Sequence, residues 1–179
     1  LMAPLIEWIN GRTEKVRVLE IASGAGEATE ILLKSSENIE MTCVDLSQPY
    51  LDRAKQRLKE FDNVRFIQGA FEDMPVSEPF DVIFSVFLFH ELPLAVRKKV
   101  LEKAKSLLAS GGFMLHIDSI QRGDTPQFDW ALEQFPLNFH EPFYKNYVQN
   151  PLEKLMLDIQ LSPEVDKALL AKSVIHNHL

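Results

Sequence analysis

The sequence predicts an α/β protein with a seven-stranded sheet, mostly parallel with its last strand antiparallel, and with helices on both faces. Segments with strand patterns alternate with segments of helical periodicity, as crossover connections between parallel strands require. A glycine-containing loop joins the first predicted strand to the helix that follows it. Residues 80–87 form a nearly continuous apolar run, which is typical of a central strand covered on both faces.

The first half of the chain contains a short helix over 3–10 and then four strands alternating with helices. The predicted strands span residues 16–22, 40–45, 63–68 and 80–87. A helix over 26–35 follows the first strand. We expect Ser47 to cap the next helix, because its hydroxyl can accept a hydrogen bond from a free N–H of the first turn. Apolar residues at helical spacing mark the buried face of that helix: Leu51, Ala54, Leu58 and Phe61.

The second half begins with a long helix over 93–109, which we expect Gly111 to stop. The charged residues over 97–103 are expected to form a solvated face of this helix. The alternation then breaks, because residues 120–150 are rich in aromatic residues and proline and predict an insertion. The remaining predicted elements are a strand over 112–119, a helix over 151–160, and two strands over 162–167 and 169–177.

Composition places this chain among ordinary globular proteins. Its 179 residues, 46% of them hydrophobic, are enough for one domain over 1–179. A net charge of −7 without a basic block argues against a nucleic-acid partner. No apolar run reaches the roughly 18 residues that a membrane span needs. We therefore expect a cytoplasmic protein, monomeric or homodimeric, that acts on a small molecule.

The loop after the first strand predicts a nucleoside site. It reads Val18-Leu-Glu-Ile-Ala-Ser-Gly24-Ala-Gly26, and Asp45 ends the second strand. Glycines let a ligand lie close to the backbone, and the helix start presents free N–H groups. An acid at the tip of the neighbouring strand can accept hydrogen bonds from the two ribose hydroxyls. Gly-x-Gly also occurs in α/β loops for steric reasons alone.

An acid in the strand, Glu20, favours a ligand that carries an ammonium group over one that carries a pyrophosphate. A dinucleotide fingerprint also wants a third small residue, and that position is Thr29. The pattern resembles the first motif of class I S-adenosylmethionine (SAM) dependent methyltransferases, with Ala22 at the first glycine of that motif. The resemblance implies a Rossmann-like fold, SAM as cofactor, S-adenosylhomocysteine as product, and contacts from Glu20, Ala22, Gly24 and Gly26.

Three later segments are similar to the same family, and the second of them is similar specifically to its small-molecule members related to the ubiquinone and menaquinone methyltransferases. They are Val64 to Pro75, Phe80 to Pro93, and Leu107 to Phe113. The resemblance implies that the first segment frames the adenine and that the end of the fourth strand lies near the methionine part. The implied cofactor contacts are Asp45, Leu46, Ala70, Phe71, Glu72, Ser85 and Val86.

Two histidine sites are candidates for the methyl-acceptor side. His90 follows the fourth strand at the carboxyl edge of the sheet, where open α/β sheets bind ligands. The other site lies in the insertion, where His140 and Glu141 are followed by Tyr144 and Tyr147. His90, His140 and Glu141 are candidate catalytic groups, and His140, Tyr144 and Tyr147 are candidate substrate contacts. They could equally serve as loop caps and as the core of an irregular lid.

The sequence therefore predicts SAM-dependent methyl transfer to a small, apolar or aromatic metabolite. Two alternatives remain open. A SAM-binding protein that is inactive, or that serves as a partner subunit, would explain the unusual Ala22 and Ala70. An NAD(P)-binding oxidoreductase would explain Asp45 but not Glu20. No spacing of histidine, cysteine or acidic residues predicts a metal site, and the single Cys43 is expected to be a small buried apolar residue.

Overall fold

A computed structural model of the chain describes residues 1–75, 78–138, 140–168 and 170–177. Residue 139 of the predicted insertion and residue 169 of the last predicted strand lie outside the described residues. Seven strands form one sheet in the order β3-β2-β1-β4-β5-β7-β6. Their bounds are β1 Val16–Ile21, β2 Ile39–Asp45, β3 Val64–Gln68, β4 Phe80–Val86, β5 Leu108–Ser119, β6 Pro163–Ala168 and β7 Ala171–Asn177.

Helices cover both faces of this sheet. None of the helices within the described residues has the length and apolar character that crossing a bilayer requires. Their bounds are α1 Ala3–Asn10, α2 Glu27–Ser35, α3 Gln48–Arg57, α4 Leu94–Leu107, α5 Asp129–Asn138, α6 Tyr144–Gln149 and α7 Leu152–Asp158.

The topology confirms the predicted fold class. β1 pairs in parallel with β2 and β4, and β4 pairs in parallel with β5. β7 runs antiparallel to both β5 and β6, and β6 forms an exposed edge that begins at Pro163. Proline suits an edge strand because it has no N–H to donate to a ladder.

Each face of the sheet has its own apolar core. Side chains alternate between the faces along a strand, so Val18 packs with α1 and α2 while Leu19 packs with α4, α6 and α7. The second face also carries the insertion that follows β5.

The boundary between α4 and β5 differs from the prediction. The helix ends at Leu107 and the strand begins at Leu108, four residues before the predicted start at 112. Gly111 does not stop the helix. It adopts a φ of 72° inside the strand, where the register with β4 shifts. A β-carbon on Gly112 would lie 2.8 Å from the carbonyl oxygen of Ala109, so this bulge needs glycine.

The insertion contains two helices that the sequence did not predict. Pro136 lies inside α5, and α6 has only six residues. Gln121, which is fully buried, fastens this segment to its surroundings. Its Nε2 donates to the carbonyl oxygens of Tyr147 and Asn150, and its Oε1 accepts from the N–H of Leu152 at 2.8 Å. One side chain thus connects the start of the insertion with α6 and α7.

The expectation of a solvated charged face on α4 is wrong for Arg97. Lys98 and Lys99 are exposed, but Arg97 is fully buried. Its Nε donates to the carbonyl oxygen of Leu92 and its Nη2 donates to Oδ1 of Asn146, both at 2.9 Å. Burial lowers the pKa of the Arg97 guanidinium. Arg97 therefore joins α4 to the insertion, which periodicity on α4 alone could not show.

We expect Arg97→Ala to lower the free energy of unfolding by about 2–4 kcal/mol, because the carbonyl of Leu92 and the amide of Asn146 would lose a buried donor. Lys98→Ala, an exposed position on the same helix, should change it by less than about 0.5 kcal/mol. Urea denaturation of both variants measures the difference. Equal stability of the two variants would show that the Arg97 contacts contribute nothing net.

Candidate functional site

Three residues of the loop between β1 and α2 have a positive φ. These are Ala22 at 56°, Gly24 at 54° and Gly26 at 83°. Gly26 precedes α2, and a β-carbon there would lie 3.1 Å from Leu58 and 3.3 Å from Ala54. Gly26 therefore allows α2 to approach the C-terminal end of α3. Ala22 adopts a conformation that L-residues other than glycine rarely take, so the loop holds strain at that position.

Asp45, at the end of β2, holds this loop. Its Oδ2 accepts from the N–H of Gly24 and its Oδ1 accepts from the N–H of Ser47, both at 2.8 Å. The side chain is nearly buried. Each carboxylate oxygen can accept two hydrogen bonds, so each keeps one position for a ligand donor. A vicinal diol, such as that of a ribose, presents two donors at this spacing.

A cavity of about 120 Å³ lies beside Asp45 at the carboxyl ends of β1, β2 and β3. Six of the predicted cofactor residues line it: Ala22, Asp45, Leu46, Ala70, Phe71 and Glu72. Sites that enclose a whole small-molecule ligand usually measure about 300–1,000 Å³. The enclosed volume therefore suits one part of a nucleoside ligand, with the carboxylates at its edge and apolar walls around it.

The other lining residues were missed by the sequence analysis. Ile21, Val44 and Gly69 are neighbours of predicted residues, so their positions could have been inferred. Leu88, Leu92 and Val100 come from the segment after β4 and from α4. Only tertiary packing brings them to the cavity, and in the sequence they are ordinary apolar residues. They bring the His90 segment to the cavity wall.

Glu20 is a predicted cofactor residue that does not line the cavity. It is buried beneath the loop, where its carboxyl accepts a hydrogen bond from the hydroxyl of Thr29. Cys43, buried as predicted, lies 3.3 Å from that hydroxyl. Burial raises the pKa of Glu20 to about 8, although the Thr29 bond opposes the shift. A direct contact between Glu20 and a ligand stays a prediction.

Ser85 and Val86 are also placed away from the cavity lining. Ser85 is fully buried, and its Oγ lies 2.9 Å from Nδ1 of His116. Burial lowers the pKa of His116 to about 3, so its ring is neutral. Val86 packs in the core of the opposite face of the sheet. The role of Ser85 and Val86 near the methionine end stays a prediction.

On the acceptor side, His90 is joined to Asp118, a residue that the sequence analysis missed. Nδ1 of His90 lies 2.7 Å from Oδ1 of Asp118, whose side chain is 1% exposed. Asp118 lies near the end of β5, as His90 follows the end of β4, and the two strands are parallel neighbours. The carboxyl ends of neighbouring parallel strands meet at one edge of the sheet. This pair could therefore have been predicted once β4 and β5 were taken as neighbours.

Aromatic rings surround His90. Phe87, Tyr144 and Tyr147 stand edge-on to the imidazole, with ring centroids 6.1–6.3 Å away. The Tyr147 hydroxyl donates to the carbonyl oxygen of Ser119 at 2.6 Å. Burial raises the pKa of both tyrosines, so their hydroxyls stay protonated near neutral pH. The predicted contacts Tyr144 and Tyr147 thus meet His90 in one cluster.

Glu141 is joined to this cluster through its backbone, because its carbonyl oxygen accepts from the N–H of Tyr144 at 3.2 Å. His140 is exposed. The negative charge of Glu141 raises the pKa of His90, which places it within electrostatic range. His90 is thus the candidate histidine whose ring contacts both tyrosines.

The sequence is similar to those of known methyltransferases. A family model described as "Methyltransferase domain" matches residues 18–112. A malonyl-[acyl-carrier protein] O-methyltransferase of Paenibacillus sp. strain JDR-2 is 31% identical over 110 residues, which cover 59% of this chain and 39% of that protein. A demethylmenaquinone methyltransferase of Thermotoga maritima is 27% identical over 128 residues, covering 71% of this chain and 53% of that protein.

Solved structures confirm the fold. An O-methyltransferase family protein from Burkholderia thailandensis aligns with a TM-score of 0.76 at 16% identity, covering 99% of this chain and 56% of that chain. A SAM dependent methyltransferase from Aquifex aeolicus aligns with a TM-score of 0.67 at 18% identity, covering 97% of this chain and 87% of that chain. The chain spans well under two thirds of the length of the Paenibacillus and Thermotoga relatives.

Relief of the strain at Ala22 provides a direct test of the loop conformation. We expect Ala22→Gly to raise the free energy of unfolding by about 0.5–1 kcal/mol, because glycine adopts a φ of 56° without steric cost. Ala70→Gly is the matched control in the same cavity. Its φ is −70°, so glycine there should lower the free energy by a similar amount through chain entropy. Urea denaturation distinguishes the signs, and destabilisation by both substitutions would contradict the strained loop.

The burial of Glu20 predicts a pH dependence of stability. Since its pKa is raised from 4.5 to about 8, the folded chain keeps a proton there that the unfolded chain has lost, and stability falls as pH rises through this window. Glu20→Gln should remove this titration and flatten the slope by up to about 1.4 kcal/mol per pH unit.

Urea denaturation at several pH values between 5 and 8 measures these slopes. The exposed Glu37→Gln is the control, since water solvates that side chain in the folded and unfolded chain alike. A slope in Glu20→Gln that matches the wild-type slope would show that the buried carboxyl is ionised throughout.

Proposed function

Because the chain belongs to the methyltransferase domain family, we propose that it catalyses SAM-dependent methyl transfer to a small acceptor with an apolar or aromatic part. The observation that carries this proposal is the pair of free acceptor positions on Asp45 at the mouth of an apolar cavity. The name of one relative, the demethylmenaquinone methyltransferase, supports an acceptor of this class.

The residues of the cavity fit the adenosine part of SAM. Asp45 would accept hydrogen bonds from both ribose hydroxyls. Leu46, Ala70 and Phe71 would cover the base, with Glu72 as the polar side chain at that edge. The loop from Ala22 to Gly26 would lie against the remainder of the ligand, held from below by Glu20. Ser85 and Val86 remain predicted contacts of the methionine end.

When bound, SAM supplies a methyl group that is already activated by its bond to a positively charged sulfur. The protein then has to hold the acceptor in line with that methyl and to exclude water. Leu88 and Leu92 line the cavity on either side of His90, so the His90 segment lies where an acceptor would meet the cofactor. Within one domain over 1–179, the insertion at about 120–150 would act as a lid, with Tyr144 and Tyr147 facing the acceptor and His140 and Glu141 nearer its rim.

Two features disfavour the alternatives. Thr29, at the third position of a dinucleotide fingerprint, is buried and bonded to Glu20, where an oxidoreductase would have a small residue. The buried pair of His90 and Asp118 favours catalysis over a SAM-binding protein without it. The expected cytoplasmic location, the monomeric or homodimeric state and the absence of a nucleic-acid partner stay predictions.

Calorimetric titration with S-adenosylhomocysteine tests the cofactor. We expect binding that Asp45→Ala weakens by at least about 10-fold, because hydrogen bonds to a charged group contribute about 1.5–3 kcal/mol each. Glu40→Ala, an exposed acid near the other end of the same strand, should bind as the wild type does.

NADH titrated in parallel distinguishes the cofactors. Binding of NADH in place of S-adenosylhomocysteine would overturn the methyltransferase proposal. Binding of S-adenosylhomocysteine that survives Asp45→Ala unchanged would show that the ligand lies elsewhere on the chain.

A further inference from the structure

We propose that Lys172, on β7, is a positioning residue for the proposed methyl transfer. Its ammonium group joins the two ends of the insertion and thereby holds the two tyrosines of α6 beside His90. This inference rests on the proposed function, because it concerns the side of the site where an acceptor would lie. It assigns a task to a buried charge that lies outside the cofactor cavity.

The side chain of Lys172 is fully buried, which is rare for a lysine unless its charge is paired. Its Nζ donates to Oε2 of Glu153 at 2.7 Å and lies 3.0 Å from Oδ2 of Asp124. Asp124 lies in the loop that begins the insertion, and Glu153 lies in the first turn of α7, directly after the insertion. We call these three residues the clasp, because they join the two ends of the insertion to β7.

Other donors hold the Asp124 end of the clasp. The N–H of Gln121 donates to Oδ2 of Asp124 at 2.7 Å. Lys167, on β6, lies 3.3 Å from Oδ1 and donates to the carbonyl oxygen of the same residue at 3.1 Å. The two strands at the edge of the sheet therefore both supply a lysine to the base of the insertion.

The clasp is better suited to fixing a direction than to adding stability. Charges that leave water lose their hydration, and apolar side chains of similar volume often stabilise a core as well as a buried ion cluster does. Ion pairs differ from apolar contacts in their geometry, because the ammonium N–H groups must point at the carboxylate oxygens. An ion cluster at this place therefore fixes the angle at which the insertion leaves the sheet.

The clasp lies next to the candidate acceptor side. Lys172 is directly opposite Asp118 in the antiparallel pair of β5 and β7, and opposed residues point to the same face of a sheet. Asp118 is the residue that contacts His90. Burial raises the pKa of Tyr147, and the charges of Asp118 and of both clasp carboxylates raise it further. One tyrosine hydroxyl is thus within electrostatic range of the clasp and of the partner of His90.

Backbone contacts connect α6 to the segment that leads into the clasp. The hydroxyl of Tyr147 donates to the carbonyl oxygen of Ser119 at 2.6 Å, and the N–H of Arg122 donates to the carbonyl oxygen of Val148 at 3.0 Å. A shift of this segment would move α6 and with it both tyrosine rings. Their centroids lie 6.1 and 6.2 Å from that of the His90 ring.

A double variant, Lys172→Met with Glu153→Gln, removes the link between β7 and α7 without leaving an unpaired buried charge. Asp124 keeps its contacts with Lys167 and with the N–H of Gln121. Glu153→Ala is a milder second variant, in which Lys172 remains paired with Asp124. Lys167→Met is the matched control, since Lys167 contacts the same carboxylate from a more exposed position.

Hydrogen exchange of the ligand-free protein measures the attachment of the insertion. We expect the amides of residues 144–152 to exchange at least about 10-fold faster in the double variant, and also faster in Glu153→Ala, because this region opens locally. The amides of β2, near the opposite edge of the sheet, should keep their wild-type rates. Lys167→Met should match the wild type. Equal acceleration in both segments would make the clasp a general contribution to stability, and no acceleration would leave it without effect; either result overturns the proposal.

NMR signals of the His90 ring report whether the clasp positions the tyrosines. The edge-on tyrosine rings shift the imidazole proton signals through their ring currents, and His90→Gln identifies these signals by removing them. We expect the signals to move toward those of a free histidine in the double variant and to stay in place in Lys167→Met. Unchanged signals together with faster exchange would show that the insertion loosens without moving the tyrosines, which overturns the positioning role.

Titration with S-adenosylhomocysteine separates this proposal from the proposed function. Failure of the wild type to bind would overturn the proposed function, whereas the exchange rates and ring signals are measured without ligand and still test the clasp. The double variant should bind within about 2-fold of the wild type, because none of the clasp residues lines the cavity beside Asp45. A loss of affinity of about 10-fold or more would show that Lys172 acts on the cofactor side and would overturn its assignment to the acceptor side.

Discussion

The hydrogen bonds of one carboxylate, Asp45, organise the cofactor side of this protein. The loop after β1 contains three residues in left-handed conformations, which leaves it without a regular hydrogen-bonding pattern of its own. Asp45 supplies the missing acceptor to Gly24 and also starts the turn into α3 through Ser47. Because β1 and β2 are parallel neighbours, the loop and the carboxylate meet at one edge, and the apolar cavity lies beside this contact.

A second carboxylate, Asp118, organises the candidate acceptor side in the same way. Asp118 lies near the end of β5 and accepts hydrogen bonds from two backbone N–H groups. The same carboxylate also contacts His90. It is thus part of the backbone framework and also the partner of a candidate catalytic side chain. The cavity lies between these two centres, with Leu88 and Leu92 in its wall. A parallel sheet that presents several strand ends at one edge makes both arrangements available.

The sequence was sufficient to predict the parts of the structure that local patterns encode. Strand and helix alternation predicted the sheet. Three lining residues of the cavity belong to the glycine loop and the end of β2, and three more were predicted from the resemblance of the segment from Val64 to Pro75. Asp118 was missed because its role depends on the neighbouring positions of β4 and β5. Arg97 was misread because its burial depends on α6, a helix of six residues that carries little periodicity. The bulge at Gly111 and Gly112 was missed because two glycines after a helix are also a common stop signal.

The antiparallel placement of β7 has a consequence for the order in which the protein can assemble during synthesis. β5 is covered on one side by β4 and on the other by β7, whose residue Lys172 lies opposite Asp118. A nascent chain that has reached only the end of α7 therefore exposes the whole outer edge of β5, beside the future acceptor site. Unpaired strand edges are prone to aggregation. The packing around Asp118 is complete only when residues 171–177 have left the ribosome and paired with β5.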